Sequence, residues 1–380
     1  PSVMKCTPYW GSQSTNKEPD MRAAVMRNQQ LVVDDLPMPA PEAGQAIVKT
    51  LSCGICGSDL HMLQHAERMV EMAHKTGSAF AMDLSKDVVM GHEFCAEIVD
   101  YGVDTQKTLK PGTRVCSVPI AVHGGAPRPI GLSNEASGGY GEYMALNEML
   151  LLEVPNGLST EFAALTEPMA VGLHAVEKAH LQKDDLPLVI GCGPVGLAVI
   201  AALKIKGVGP VIAADFSAKR RELAEKMGAD IIIDPATDSP YQQWNEIATP
   251  EGYDPGSPLV MMGMGPQLRP GVVFECVGVP GVIQQVMEGA MTGSRAVVVG
   301  VCMETDRIEP FYGIQKELNI QFVLGYSPEE FASTLRHISE GEINVEPLIT
   351  GKVGVDGVAQ AFKDLGSPEQ HAKILVEPWR

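Results

Sequence analysis

The chain has 380 residues, 45% apolar and 20% charged, so it can fill more than one hydrophobic core and two domains are expected. A formal net charge of -18 argues against nucleic acid or an anionic membrane as a partner. Eight cysteines are too few for a disulfide scaffold, and residues 1–20 are polar with no apolar run of a secretory signal, so a cytoplasmic protein with free or metal-bound thiols is expected.

Residues 1–20 read as an extension ahead of a first strand, "MRAAVM", which opens at Met21. Residues 21–150 read as mostly β. The runs "QAIVKTLSC", "CAEIVDYG" and "TRVCSV" are separated by turn signals at 41–44 and 111–112. Two stretches look inserted: 66–88, with methionines on a helical background, and 250–270, rich in Gly, Pro and Met. Each is expected to be a solvated lid or a subunit contact. From 186 to 325 the pattern changes. Apolar strands ("PLVI", "PVIAAD", "DIIID", "VVFECVG", "RAVVVG") alternate with helical stretches such as "SAKRRELAEKMG", the mark of a parallel sheet covered by helices. Residues 186–203 carry no charge and have nearly the length of a membrane span, but Gly191, Gly193, Pro194 and Gly196 interrupt them. A strand, a glycine turn and a buried helix are expected instead. A helix near 328–340 and a last strand, "AKILVEP", close the chain.

"VIGCGPVGLAVIAAL" sets Gly191, Gly193 and Gly196 in G-x-G-x-x-G spacing between a strand and a helix that begins near Pro194 and Val195. The first glycine permits the tight turn and the second lets backbone approach a pyrophosphate. The third packs helix on strand, while the helix N-terminus offers unpaired N–H groups to phosphate. "PVIAAD" ends in Asp215, 19 residues after Gly196. A carboxylate there accepts hydrogen bonds from ribose hydroxyls and repels a 2′-phosphate, so NAD is expected over NADP, with Arg220 flanking the adenine.

"CGICGSDLH", Cys53 to His61, opens a second constellation. Catalytic zinc takes three protein ligands and keeps one position open. Cys56 offers a thiolate, "GHE" offers His92 with Glu93 beside it, and "TEPMAVGLH" offers Glu167. Sulfur, imidazole and carboxylate together suit zinc better than magnesium or calcium. A Cys53–Cys56 redox pair would open a helix after a strand. The surroundings read as strands and turns, so Cys53 is taken as a small buried residue. Cys95, Cys116, Cys192, Cys276 and Cys302 lie in apolar runs and are expected in the core.

"CGICGSDLH", "GHE", "EPMAVGLHA" and "GCGPVGL" with its later aspartate, in that order, resemble the zinc-dependent medium-chain dehydrogenases, which include alcohol, sorbitol and threonine dehydrogenases, over most of residues 21–380. The resemblance implies an α/β fold: a GroES-like, mostly-β catalytic domain at 21–165 and 326–380, and an inserted Rossmann NAD-binding domain at 166–325. It implies one catalytic zinc on Cys56 and His92, with Glu93 or Glu167 as the third ligand. Asp59 would orient His92, Ser58 would bond the substrate hydroxyl, and His61 would stand at the outer end of a proton relay. The implied reaction oxidises a small-molecule alcohol to a ketone or aldehyde with hydride transfer to NAD, in a homodimer or homotetramer. Many members carry a structural zinc on four close cysteines. Between Cys95 and Cys192 this chain has only Cys116, so no structural zinc is expected, and residues 122–143 replace that lobe and are expected to reshape the pocket or the subunit interface. Two other readings compete. A zinc-free enone or quinone reductase would lack the Cys56 and His92 pair. A non-catalytic NAD-binding or structural zinc protein would have no use for Ser58 and His61.

Overall fold

The structure, a computed structural model, describes residues 20–78, 82–155 and 157–380; the expected extension lies outside these apart from Asp20. Strand Gln45–Gly54 is the spine of the first sheet and is buried along almost its whole length. One edge pairs antiparallel with Glu93–Tyr101. The other edge pairs with Tyr143–Asn147 and then, beyond two bulges, with Lys373–Val376 near the C-terminus. Bulges bend and twist a strand. The chain's last segment thereby returns to the sheet built by its first third, and Ile349–Val353 extends it in parallel.

The second sheet has six parallel strands in the spatial order Ile231–Ile233, Ile212–Ala214, Leu186–Ile190, Gly271–Glu275, Arg295–Val298, Asn319–Phe322. Succession runs outward from Leu186–Ile190 to one side and then resumes on the other. That reversal opens a crevice at the C-terminal strand ends, where dinucleotides bind. Helix Pro194–Lys206 is apolar on nearly every face because it is covered on every side. It lies against helix Thr166–Lys178 at Gly172, where a Cβ would stand 2.6 Å from the Ala198 carbonyl oxygen. Residues 186–203 are thus the strand, turn and helix that the sequence suggested. Among the described residues no helix is long and apolar enough to cross a membrane.

Two expectations need correction. The segment after Cys56 is a helix, Gly57–Thr76, stopped by Gly77 in the left-handed region (φ 66). Residues 66–76 therefore continue a helix that begins inside the metal motif. Cys302 sits half-buried in a loop rather than in a core strand. In the 250–270 stretch a short helix, Pro258–Met261, leaves Leu259, Met261, Met262 and Met264 exposed.

Candidate active site

The spine strand delivers Cys56 as the N-cap of helix Gly57–Thr76, with extended backbone (φ -90, ψ 154). Asp59, fully buried in the first turn, accepts a hydrogen bond from the Cys56 N–H at 3.0 Å. Gly91 turns the chain toward Glu93–Tyr101 with φ +98; a Cβ there would strike the Tyr140 ring at 2.6 Å and Cys53 Sγ at 2.9 Å. The turn brings His92 and Glu93 to Cys56, and ligand atoms of these three residues lie within 4.8 Å of one another. The redox argument is corrected too, because Cys56 does open a helix after a strand. What separates the two thiols is burial: Cys53 is sealed in the sheet, and desolvation pushes its thiol well up, away from the reactive thiolate.

His92 presents its two ring nitrogens to different partners. Nε2 lies 3.4 Å from Ser58 Oγ, and Nδ1 faces Asp59 Oδ1 at 3.4 Å. The second approach is close enough for charge attraction but out of line for a hydrogen bond, and among the described residues neither atom has another partner. The other Asp59 oxygen accepts from Tyr140 Oη at 2.6 Å. Burial opposes charge on Asp59, yet His92, Tyr140 and the Cys56 N–H together hold it below the usual carboxylate range. Burial likewise opposes a proton on His92, and Asp59 and Cys56 outweigh it and push the imidazole well up. Both directions describe a pocket whose surroundings favour positive charge. A sulfur, an imidazole oriented from behind by a carboxylate, and a carboxylate oxygen fit zinc.

Of the two candidate acids, Glu93 joins Cys56 and His92, and Glu167 is not part of that group. Lys373 Nζ donates to both Glu93 oxygens at 2.8 Å and to the Ile55 carbonyl at 2.9 Å, with both side chains buried. A carboxylate has about four lone-pair directions, so a lysine on one side leaves room for a cation on the other. Glu167, at the start of helix Thr166–Lys178, accepts from Tyr326 Oη at 2.8 Å. Burial foremost, with the charge of Glu93, pushes its carboxyl up to about 7. His61 is half-buried on the same helix as Ser58. Its Nδ1 is buried and has no hydrogen-bond partner among the described residues, its ring lies 6.2 Å from that of His65, and burial followed by His65 lowers its affinity for a proton.

In the crevice Gly191 adopts φ +88 and Gly193 caps helix Pro194–Lys206. A Cβ on Gly196 would fall 1.9 Å from the Gly191 carbonyl oxygen, so only glycine fits where the helix meets the turn. Gly193, Pro194 and Val195 are half-buried at the mouth while their neighbours are buried. Asp215 reaches back to this turn, accepting from Cys192 N–H at 2.7 Å and Ser217 N–H at 2.8 Å. Arg220 Nη1 stands 3.9 Å from its carboxylate.

Lys373, Tyr140 and Tyr326 escaped the sequence reading. A lone lysine inside "AKILVEP" was the one available signal, since a buried ammonium needs an acid. Tyr140 belongs to the lobe at 122–143 that was expected to bear on the pocket or the subunit interface. Its Gly138, Gly139 and Tyr140 N–H groups bond to the carbonyls of Val89, Gly91 and Met90, backing the metal motif from behind.

Residues 42–156 match the family described as alcohol dehydrogenase GroES-like domain, and residues 194–340 match zinc-binding dehydrogenase. The chain is 34% identical to the (R,R)-butanediol dehydrogenase of Bacillus subtilis (strain 168), covering 94% of this chain and 100% of that protein. It is 28% identical to the sorbitol dehydrogenase of Bos taurus, over 90% and 94% of the two chains. The crystal structure of 2R,3R-butanediol dehydrogenase from Bacillus subtilis superposes with a TM-score of 0.74 at 31% identity, covering 94% of this chain and 99% of that one. A zinc-binding dehydrogenase of Sinorhizobium meliloti 1021 solved with NADP shares the fold (TM-score 0.76, 24% identity, 95% and 100% covered).

Proposed function

The chain belongs to the zinc-dependent medium-chain dehydrogenases, enzymes that oxidise alcohols, and from that premise we propose that it acts on a small secondary alcohol with a neighbouring hydroxyl, using NAD in preference to NADP. The observation that carries this reading is the convergence of Cys56, His92 and Glu93 within 4.8 Å beside Ser58. The substrate class is supported by the butanediol and sorbitol dehydrogenases among its relatives, and by a carboxyl and a phenol, Glu167 and Tyr326, that can meet a second hydroxyl.

Cys56, His92 and Glu93 would hold the zinc, with Lys373 fixing Glu93 and Asp59 facing the far nitrogen of His92. When bound, zinc supplies the Lewis acidity that lets an alcohol ionise near neutral pH, and NAD supplies the hydride acceptor. Ser58 hydrogen-bonds the substrate hydroxyl and takes its proton. His61, kept neutral near pH 7 by burial, passes the proton outward. Glu167, titrating at about 7, gives or accepts a hydrogen bond at the substrate's second oxygen. Gly191, Gly193, Pro194, Val195 and Gly196 cradle the coenzyme phosphates, Asp215 takes the adenosine ribose, and Arg220 flanks the adenine.

The catalytic part comprises 21–165 and 326–380, and the coenzyme part 166–325. A homo-oligomer is the natural assembly, since among the described residues edge strand Asn319–Phe322 is unpaired on one side and Phe311, Ile314, Phe322 and Leu324 near it are exposed. The described cysteines are all free, which supports a reducing, cytoplasmic setting.

The reading is tested by zinc analysis of purified protein and by initial rates with NAD and NADP on 2,3-butanediol, sorbitol and ethanol. One zinc per chain and the highest kcat/KM with NAD and a vicinal diol are expected. Full activity after the metal is stripped, or a preference for NADP, would overturn it.

A further inference from the structure

Helix Gly57–Thr76 starts in the metal site, carrying Ser58, Asp59 and His61, and bends at His65, whose backbone leaves the helical region (φ -128, ψ 27). Beyond the bend, Arg68 donates from Nε to the Met303 carbonyl at 2.7 Å and from Nη2 to Thr305 Oγ1 at 3.5 Å. Met303 and Thr305 lie in the loop that leaves the C-terminal end of strand Arg295–Val298, in the parallel sheet. That loop is braced within its own half. Val299 and Gly300 N–H groups bond to the Glu275 carbonyl at 2.8 and 2.9 Å, and Asp306 Oδ1 accepts from Gly281 N–H at 2.9 Å. It also packs backbone to backbone on the loop after Gly271–Glu275, since a Cβ on Gly300 would lie 2.3 Å from Gly278 N. Both loops stand at the C-terminal ends of strands on the other side of the crevice from Asp215. With Asp215 at the adenosine ribose, they flank the opposite, reacting end of a dinucleotide.

We propose that Arg68 is a positioning residue: it latches the 300–305 loop to the helix bearing Ser58 and His61, and so holds the reacting end of the coenzyme in register with the proton-accepting side chains and slows coenzyme release. The inference rests on the coenzyme reading above. Arginine suits the task because its rigid fork reaches two acceptors at once, where lysine offers a single point charge. The Arg68 side chain is exposed, so the latch opens at small cost and fits a gate rather than a permanent tie. Such a contact acts on two steps: it slows the opening of the loop that lets coenzyme leave, and it keeps the register that hydride transfer needs.

The experiment compares zinc-loaded wild type with R68A, R68K and T305V, reading NADH release by stopped-flow fluorescence, with zinc content and steady-state kinetics alongside. R68A should release NADH about five- to tenfold faster, the loss of one to two hydrogen bonds. Its KM for NAD should rise by more than its kcat falls, and its zinc content should match wild type. R68K should recover part of the effect, and T305V should show a smaller one. Release from R68A within about twofold of wild type overturns the latch, as does a kcat loss that exceeds the change in KM. Wild-type protein that binds neither NADH nor NADPH removes the coenzyme reading and this inference with it; wild type that binds NADH but releases it no more slowly than R68A removes the inference alone.

Discussion

Replacing Lys373 by methionine should destabilise the metal-free protein by about 3–5 kcal/mol, the cost of breaking a buried ion pair by removing one partner. The side chains of Lys373 and Glu93 are 2% and 0% exposed, so water compensates neither. All three ammonium donors are used, two on Glu93 and one on the Ile55 carbonyl. Glu93 has no way out: its Oε2 lies 2.0 Å from where a Cβ of residue 54 would stand. Methionine keeps the aliphatic volume, so the loss is electrostatic rather than a cavity. A cation held by Cys56, His92 and Glu93 would restore the missing compensation. The zinc-loaded K373M protein should therefore lose less than the metal-free one, and zinc should raise its unfolding midpoint more than that of wild type. Urea unfolding of chelator-treated and zinc-reconstituted protein measures this. E93Q/K373M, which removes both charges, should be more stable than K373M when metal-free. A metal-free K373M within about 1 kcal/mol of wild type, or a double variant no better than K373M, refutes the reasoning.

Four further outcomes are expected. Tyr140→Phe removes the 2.6 Å hydrogen bond to Asp59 and should weaken zinc binding about 10–100-fold, read by competition with a chromophoric chelator. Asp215→Ala should raise the NADP-to-NAD ratio of kcat/KM while weakening both coenzymes, because the carboxylate also holds the Cys192 and Ser217 N–H groups; an unchanged ratio removes Asp215 from its role. The Glu161 carboxyl, bonded by Lys352, is held down at about 2, so this pair stabilises the fold fully above the ordinary value of 4.5 and its contribution fades as pH falls through about 2. With both side chains a quarter to a third exposed, Lys352→Gln should cost about 0.5–1 kcal/mol at pH 7 and only a small fraction of that at pH 2, measured by denaturant unfolding at the two pH values. With the assembly proposed through strand Asn319–Phe322, Phe322→Glu should shift sedimentation toward the monomer, and a monomeric wild type or an unaltered assembly would remove that proposal.

Much of the architecture was legible because parallel strands buried on both faces must be apolar, and "PLVI", "VVFE" and "RAVV" advertise that directly. The glycine turn was legible because Gly191 and Gly196 answer a steric demand no other residue meets. Helix Gly57–Thr76 was not, although Asp59 in its first turn and Gly77 at its end are ordinary start and stop signals. Its N-cap is a cysteine, outside the usual capping set of Ser, Thr, Asp, Asn and Gly. The choice between Glu93 and Glu167 was illegible for a deeper reason. Both acids stand beside plausible motifs, and only closeness in space separates them. That closeness sits within a row of charged and polar groups, Lys373 to Glu93, then the Cys56 pocket, then His92 to Asp59 to Tyr140. Its two outer links join residues 280 and 81 positions apart. Spacing within a motif constrains the first neighbours of a metal, but the groups that fix those neighbours arrive from the last strand and from a lobe with no motif at all. The outer links are therefore where substitution should separate metal binding from folding, as Tyr140→Phe and Lys373→Met are designed to do.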